Sequence, residues 1–314
     1  MRTERIVEST KELDDAERIW WDTNAGTIEK IWAQNLDLQK QIRLFYLSRM
    51  KKFFLTGTNK KPFKVLEIGC GTGWVGRLIA GPGLHIIGTD FSEGQLAIAT
   101  QMAKKFGKDK YCSYELADAS SFPDDVDGVI IHALLHHLSA KELEIFFGQF
   151  AKFKPGTKIF IYEPVFFTKQ PGEKSFFDKV TNKLIHVVKT YALNRAKKIG
   201  HEDKELVQQM DSIFKAAGRN GWYISPKEVP FYENELEDFL SPLCDLKRKY
   251  IVNKTDLDIS QALIFQGIQK PDFIFSKVLF PVAKALDKVS LKGKFTHYLP
   301  PNQHLFVCYE WVRK

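Results

Sequence analysis

The segment Val65-Leu-Glu-Ile-Gly-Cys-Gly-Thr-Gly-Trp-Val-Gly76 decides the fold class of this 314-residue chain. A short apolar run that ends in closely spaced glycines predicts a buried strand, followed by a sharp turn into a helix. Glycines at 69, 71 and 73 let the backbone turn tightly, and because they lack a Cβ they let a ligand approach it closely. The segment therefore predicts a ligand-binding loop at the carboxyl end of a strand.

Strands and helices alternate for about a hundred residues around this loop. Apolar runs at 85–90, 111–116, 126–131 and 158–162 predict further strands, with helical patterns between them. Such alternation is typical of a doubly wound α/β sheet with parallel strands. We expect an N-terminal helical segment at 1–60, a ligand-binding core at 61–165, a helical cap insertion at 166–225, and the rest of the core at 226–314 with a second insertion at 253–302.

Composition excludes several other classes of protein. With 44% hydrophobic and 27% charged residues the chain is neither disordered nor fibrous, and it has no run of apolar residues long enough to span a membrane. The polar start lacks the apolar core of a signal peptide, so we expect a cytoplasmic protein. Its four cysteines lie far apart without a CxxC pair, which argues against a zinc site or a disulfide framework. We therefore predict no metal.

The net charge of +8 is typical of a protein that meets nucleic acid, membrane or an anionic substrate. Much of the excess falls in residues 174–198, where seven Lys or Arg residues face one acid, Asp178. This concentration disfavours nucleic acid as a partner, and no nucleic-acid-binding module is recognisable. An amphipathic basic helix here is interpreted as a solvated face, with peripheral contact to an anionic membrane as the alternative.

Acidic residues near the glycine loop separate two ligand hypotheses. The string Gly71–Gly76 matches the dinucleotide fingerprint GxGxxG, but Glu67 just before the loop would repel a pyrophosphate and suits a ligand with positive charge. Asp90 follows the second strand, where it would accept both hydroxyls of a ribose, and Asp118 follows the third, where it would accept from the amine of adenine. Adenine, ribose and a cationic amino-acid tail together describe S-adenosylmethionine.

Five motifs in this order resemble the class I S-adenosylmethionine-dependent methyltransferases, in particular the small-molecule enzymes of the type 11/12 kind. The motifs are Glu67–Gly73, Asp90, Ala117–Ala119, Asp127–Leu138 and Lys154–Lys158. The resemblance covers residues 60–165 strongly and the later chain weakly. It implies a seven-stranded, Rossmann-like sheet whose last strand is antiparallel, with 243–252 and 303–313 as the edge pair.

The same resemblance implies a role for each cofactor-binding position. Glu67, Gly69, Gly71 and Gly73 would surround the methionine part, Asp90 would hold the ribose, Phe91, Asp118 and Ala119 would surround adenine, and His132 would lie beside the methionine part.

Methyl transfer from a sulfonium is an in-line displacement, for which alignment of the reactants supplies most of the rate enhancement. A general base is needed only when the acceptor is a hydroxyl or an acidic carbon. His136 and His137, after the fourth strand, and Glu163, ending the fifth, are the candidates, with a structural role as the alternative for each. Among the N-terminal aromatic residues, Trp20 and Trp21 are interpreted as part of helices that cover the sheet, with a lid over the ligand as the alternative.

We therefore expect a methyltransferase that acts on a small or lipid-like acceptor. O-methylation is favoured, with C- and N-methylation open. Phenylalanines in 166–225 and 253–302 suit an apolar acceptor or the packing of the insertions themselves. The alternatives are an NAD(P)-dependent oxidoreductase and a non-catalytic methyltransferase-like subunit. The sequence leaves the acceptor and the oligomeric state open.

Overall fold

The computed structural model describes residues 10–32, 36–59, 62–166, 234–252 and 304–314. It also describes 225, 227, 231–232 and 273–279, and isolated helical positions at 183, 186, 187, 190, 194, 281, 282 and 285. Most of the two predicted insertions therefore lies outside the described residues, including most of the basic stretch 174–198. The domain boundaries and the membrane contact of that stretch stay predictions. Within the described part of the chain, no helix is long and apolar enough to cross a bilayer.

One mixed sheet forms the centre of the molecule. Its strands are β1 (Phe63–Ile68), β2 (Leu84–Asp90), β3 (Cys112–Leu116), β4 (Gly128–His132), β5 (Lys158–Phe166), β6 (Phe231–Tyr232), β7 (Cys244–Ile251) and β8 (His304–Arg313). The order is β3-β2-β1-β4-β5-β8-β7, with the two-residue β6 beside the end of β5. β1 to β5 are parallel, whereas β8 is antiparallel to β5 and β7. The predicted seven-stranded sheet with a reversed last strand is confirmed, and β6 is an addition that the sequence did not predict.

Helices lie on both faces and along one edge of the sheet. They are α1 (Lys11–Trp32), α2 (Leu36–Leu55), α3 (Trp74–Ile79), α4 (Glu93–Lys105), α5 (Ala140–Gly148) and α6 (Glu235–Leu240), with a 3₁₀ turn at Leu135–His137. The Ser92 hydroxyl caps α4 by accepting a hydrogen bond from the main-chain amide of Gln95, and Ser139 forms a capping box with Glu142 at the start of α5. α1 and α2 lie in the stretch before residue 60 for which the sequence predicts helices, and its bounds as a separate segment stay a prediction.

The core has two layers, one on each face of the sheet. In β4, Val129 and Ile131 point into the layer beneath α5, where Phe146 is also buried, while Ile130 points to the opposite layer with Phe54 of α2. All of these side chains are fully buried. A strand covered on both faces needs apolar residues at successive positions, which explains the unbroken apolar run in the sequence.

Candidate active site

The glycine loop joins β1 to α3 at the carboxyl end of the sheet. Gly69, Gly71 and Gly73 have φ values of +64°, +53° and +64°, a backbone region that other L-residues adopt at a cost. A Cβ on Gly69 would lie 2.6 Å from the Leu134 side chain, and one on Gly73 would lie 2.5 Å from Tyr114. The space in front of Gly71 is open except for the Oε1 atom of Gln95, 3.5 Å from the Cβ position. Gly71 is therefore the member of the loop that a ligand could approach.

Glu67 is buried beneath this loop and does not face the open space at Gly71. Its carboxyl is 1% exposed, and Oε2 accepts a hydrogen bond from the Gly76 amide at 3.1 Å, in the first turn of α3. Burial raises the pKa of Glu67 to about 8, so the carboxyl is largely protonated at neutral pH. The structure thus brings Glu67 to the loop as a support for α3, and direct contact with a cationic ligand stays a prediction.

Asp90 ends β2 beside the loop. Its Oδ2 accepts from the Gly71 amide at 2.7 Å and its Oδ1 from the Ser92 amide at 3.0 Å. Burial raises the pKa of Asp90 to about 6, against hydrogen bonds that lower it. Phe91, the next residue, is half-buried. The carboxyl ends of β1 and β2 are therefore joined by one amide–carboxylate hydrogen bond.

The remaining predicted cofactor residues follow β3 and β4. Asp118 is exposed, and its Oδ1 accepts from the amide and hydroxyl of Ser120; Ala119 packs against the core. His132 ends β4, where its ring stacks on Tyr162 at 4.3 Å and its Nε2 lies 3.0 Å from the Tyr46 hydroxyl. All of these residues lie at the same edge of the sheet as the glycine loop, as parallel strands require.

Glu163 organises the turn after β4. It is fully buried, and its Oε1 accepts from the amides of Leu134 and Leu135 at 2.8 Å each. Its Oε2 lies 2.7 Å from Nδ1 of His136. Ala133, at the start of the turn, has φ of +56°, an unfavourable value that the hydrogen bonds to Glu163 help to hold. Glu163 therefore positions His136 and the turn from below.

His137 connects this turn to helix α1. Its Nδ1 lies 3.0 Å from Oε1 of Glu17 and 3.1 Å from Oγ of Ser225, which itself donates to Glu17 at 2.7 Å. Burial raises the pKa of Glu17, but hydrogen bonds and the charge of His137 outweigh it and hold the pKa below its ordinary value. Ser, His and Glu are the residue types of a nucleophilic triad, but here both contacts meet at Nδ1 and the histidine does not bridge the other two. The set is a structural connection.

Lys227 strengthens the same connection. Its amide donates to Oε2 of Glu17 at 3.0 Å, and its buried ammonium pairs with Asp14 at 2.6 Å and Glu142 at 2.8 Å. Sequence reasoning missed Glu17, Ser225 and Lys227 altogether. Ser225 and Glu17 are 208 positions apart, and no local pattern marks such a pair.

Three carboxylates of helix α1 besides Asp14 attach it to the candidate site. Glu17 contacts His137 in the turn after β4. Asp22 Oδ1 accepts from the Ser92 hydroxyl and from the Gly94 amide at the start of α4. Glu29 accepts from Arg77 at 2.8 Å, and Arg77 also donates to the Thr72 carbonyl of the glycine loop. α1 therefore lies along the carboxyl edge of the sheet, the arrangement expected of a lid, with the Trp21 ring 5.5 Å from that of His137.

Comparison with protein-family models matches residues 65–156 to a methyltransferase domain. A ubiquinone biosynthesis O-methyltransferase of Dinoroseobacter shibae is 27% identical over 148 residues, which make up 44% of this chain and 57% of that protein. The chain thus spans little more than half the length of this curated relative.

Solved structures show the same fold at low sequence identity. The [4+2]-cyclase SpnF superimposes with a TM-score of 0.54 and 13% identity, over 95% of this chain and 94% of the other. The phosphoethanolamine N-methyltransferase 2 of Haemonchus contortus, in complex with S-adenosyl-L-methionine, gives a TM-score of 0.53 and 18% identity, over 97% of this chain and 60% of the other. At such identities the likeness concerns the fold alone.

Proposed function

We propose that the chain is a class I S-adenosylmethionine-dependent methyltransferase that transfers a methyl group from S-adenosylmethionine to a small or lipid-like acceptor. The methyltransferase domain matched at residues 65–156 and the relative named as an O-methyltransferase support this proposal. Oxygen is the favoured accepting atom. The hydrogen bond from the Gly71 amide to Asp90 is the observation that carries this proposal. It joins the open glycine of the loop after β1 to a buried acid after β2, so that a nucleoside bound at this edge would meet both.

The residues around Gly71 fit this cofactor. An acid near the loop offers acceptors for ribose hydroxyls, and the open space at Gly71 admits close approach of the ligand. Asp118 and Phe91 would hold adenine, and the loop glycines would adjoin the methionine part. When bound, the cofactor supplies an activated methyl group on sulfur. The chain's own residues bind it, orient it against the acceptor and exclude water.

His136 is the favoured general base among the three candidates. A carboxylate at Nδ1 fixes the histidine tautomer with its proton on that nitrogen, which leaves Nε2 as the basic atom. Glu163 is fully buried and His137 has both Glu17 and Ser225 at Nδ1, which favours positioning roles for these two residues. A base of this kind is required by a hydroxyl acceptor, and typically contributes about 10²–10⁴-fold to the rate.

The choice of oxygen as accepting atom rests on one relative and on this histidine. The Dinoroseobacter shibae protein is named as an O-methyltransferase in ubiquinone biosynthesis, whereas the Haemonchus contortus structure is of an N-methyltransferase. The relatives therefore support a small-molecule acceptor in general and an oxygen acceptor less strongly.

Calorimetric titration with S-adenosylmethionine, S-adenosylhomocysteine and NADH tests the proposal. We expect the first two to bind and NADH not to bind; binding of NADH alone would mean an oxidoreductase. Labelled S-adenosylmethionine with a metabolite extract then tests turnover. Label transfer by the wild-type chain, lost in His136→Gln with S-adenosylhomocysteine affinity retained, is the expected result. Cofactor binding without any label transfer would favour the non-catalytic alternative.

A further inference from the structure

Gln95 of helix α4 carries a buried acceptor atom that the protein itself does not use. The residue is 1% exposed, and its Nε2 donates to the main-chain carbonyl of Trp21 at 3.0 Å. Among the described residues its Oε1 has no hydrogen-bond partner. Since the Trp21 carbonyl can only accept, the amide cannot rotate to exchange its two ends without losing that bond. The orientation of Gln95 is therefore fixed by helix α1.

The free acceptor points to the part of the loop that a ligand can approach. Oε1 lies 3.5 Å from the position that a Cβ on Gly71 would take, and outside Gly71 and its two chain neighbours no other atom of the described residues lies within 4 Å of that position. The amide of the same Gly71 donates to Asp90. Gln95 and Asp90 thus both lie beside the same glycine.

A buried acceptor without a partner is unfavourable, and such atoms in folded proteins are commonly satisfied by a ligand or an ordered water. The proposed cofactor offers donors of the right kind. A ribose has two neighbouring hydroxyls, whereas both oxygens of Asp90 already accept one amide each, from Gly71 and Ser92. A second acceptor beside Asp90 would let each hydroxyl find its own partner.

We propose that Gln95 is a cofactor-binding residue whose Oε1 accepts a hydrogen bond from one ribose hydroxyl, and that helix α1 orients it through the Trp21 carbonyl. This inference rests on the proposed function. It gives α1 a part in recognition as well as in covering the site, since the N-terminal helix fixes which end of the Gln95 amide faces the ligand.

The test uses 5′-methylthioadenosine, which carries the adenine and the ribose but no ammonium or carboxylate, and its 2′-deoxy and 3′-deoxy analogues. Each is titrated by calorimetry into the full chain, into Gln95→Met, and into Gln101→Met as a control on an exposed glutamine of the same helix. Methionine preserves the length of the side chain and removes both polar atoms.

We expect Gln95→Met to bind 5′-methylthioadenosine about tenfold more weakly than the wild-type chain, and Gln101→Met to bind it equally well. One deoxy analogue should bind the wild-type chain and Gln95→Met with the same affinity, because it lacks the hydroxyl that Gln95 would accept from. Equal affinity of Gln95→Met and wild type for 5′-methylthioadenosine would overturn the proposal. So would the same loss for all three ligands, or a loss seen with S-adenosylhomocysteine alone, which would assign Oε1 to the ammonium.

Two further results separate the possible failures. If the wild-type chain binds neither S-adenosylhomocysteine nor 5′-methylthioadenosine, the proposed function itself fails, and this inference with it. If Gln95→Met does not fold, the side-chain amide resonances of Gln95 in the wild-type protein give the answer. 5′-Methylthioadenosine must shift them strongly and one deoxy analogue must not; unchanged resonances with all three ligands would refute the role of Gln95.

Discussion

The two ends of the candidate site hold their buried carboxyl groups in opposite ways. At the ends of β1 and β2, Glu67 and Asp90 form no ion pair within the described part of the chain, and burial raises their pKa values to about 8 and about 6. At the ends of β4 and β5, Glu163 lies against His136 and Glu17 against His137, with the pKa of Glu17 lowered. All four carboxyl residues are buried, and the histidine partners distinguish the second end from the first.

This contrast indicates which end responds to a ligand. The β4–β5 end is assembled in advance, since its buried acids lie against histidine partners in the protein. The β1–β2 end has buried acids and one acceptor atom without a partner, Oε1 of Gln95. A ligand that donates a hydrogen bond to this atom would remove the cost of leaving it unsatisfied. Substitutions at the β4–β5 end should therefore lower the catalytic rate, whereas substitutions at the β1–β2 end should change the affinity for the ligand and its pH dependence.

The largest effect is expected for Glu163→Gln. Glutamine can still accept from the Leu134 and Leu135 amides through Oε1, but its NH₂ group would face Nδ1 of His136 and make that nitrogen the acceptor. The proton would move to Nε2, and the proposed base would be lost. We expect kcat to fall about 10²–10⁴-fold, with S-adenosylhomocysteine affinity unchanged. Glu144→Gln, on the exposed side of α5, is the matched control.

Unchanged kcat in Glu163→Gln would exclude His136 as a base. A fall in kcat that comes with an equal loss of S-adenosylhomocysteine affinity would mean instead that the turn after β4 has collapsed, and the contrast between the two ends would no longer hold.

Asp90→Asn should weaken ligand binding at the β1–β2 end. Ribose hydroxyls donate more strongly to the charged carboxylate than to the acid, so ligand binding should lower the pKa of Asp90 from about 6. Affinity for 5′-methylthioadenosine, which has no titrating group in this range, should therefore rise between pH 5 and pH 7 and then level off. Asp90→Asn should weaken binding about 10–100-fold and abolish this rise. Asp109→Asn, at an exposed position, should keep the wild-type affinity and the rise with pH. If Asp90→Asn shows the same pH profile as the wild type, another group is responsible for the titration.

Much of the fold could be predicted because its determinants are local. Each parallel strand is a short apolar run, and the positive φ values at 69, 71 and 73 explain why glycine occurs there. The strand ends then bring Asp90, Asp118, His132 and His136 to one edge by topology alone.

The position of α1 could not be predicted in the same way. Its apolar spacing shows that it has a buried side but not what covers that side, and its hydrogen-bond partners come from residues 77 to 227 of the chain. Glu67 is a second example. The sequence puts its acid beside the loop, but only the close contact of Gly76 with β1 turns the carboxyl under α3, where a Cβ on Gly76 would lie 2.4 Å from Oε2. Packing of this kind is decided by the whole core.

Glu67→Gln tests the raised pKa at the β1–β2 end through the pH dependence of the free energy of unfolding. A carboxyl whose pKa is raised on folding holds its proton more tightly in the folded chain. Its contribution to the free energy of unfolding is therefore complete below about pH 4.5 and is lost as the pH rises through about 8. Between pH 6 and pH 8 the loss should be on the order of 2 kcal/mol in the wild type. In Glu67→Gln it should be absent, because the amide keeps an acceptor for Gly76 and does not titrate. Urea denaturation at several pH values measures it, and parallel curves for the two proteins would contradict the raised pKa.

The smallest effect concerns the contact of α1 with the β1–β2 end. Gly94, in the first turn of α4, lies so close to α1 that a Cβ there would be 3.0 Å from the Asp22 carbonyl oxygen and 3.1 Å from its Cα. Alanine normally stabilises a helix relative to glycine by about 0.4–1 kcal/mol. At Gly94 that gain should be outweighed by the overlap, for a net loss of about 1 kcal/mol. Gly148→Ala, at the end of α5 where the space is open, should show the gain alone. Hydrogen exchange should be faster along α1 in Gly94→Ala and unchanged in the turn after β4; a stabilised Gly94→Ala with normal exchange would mean that α1 does not pack on α4 in solution.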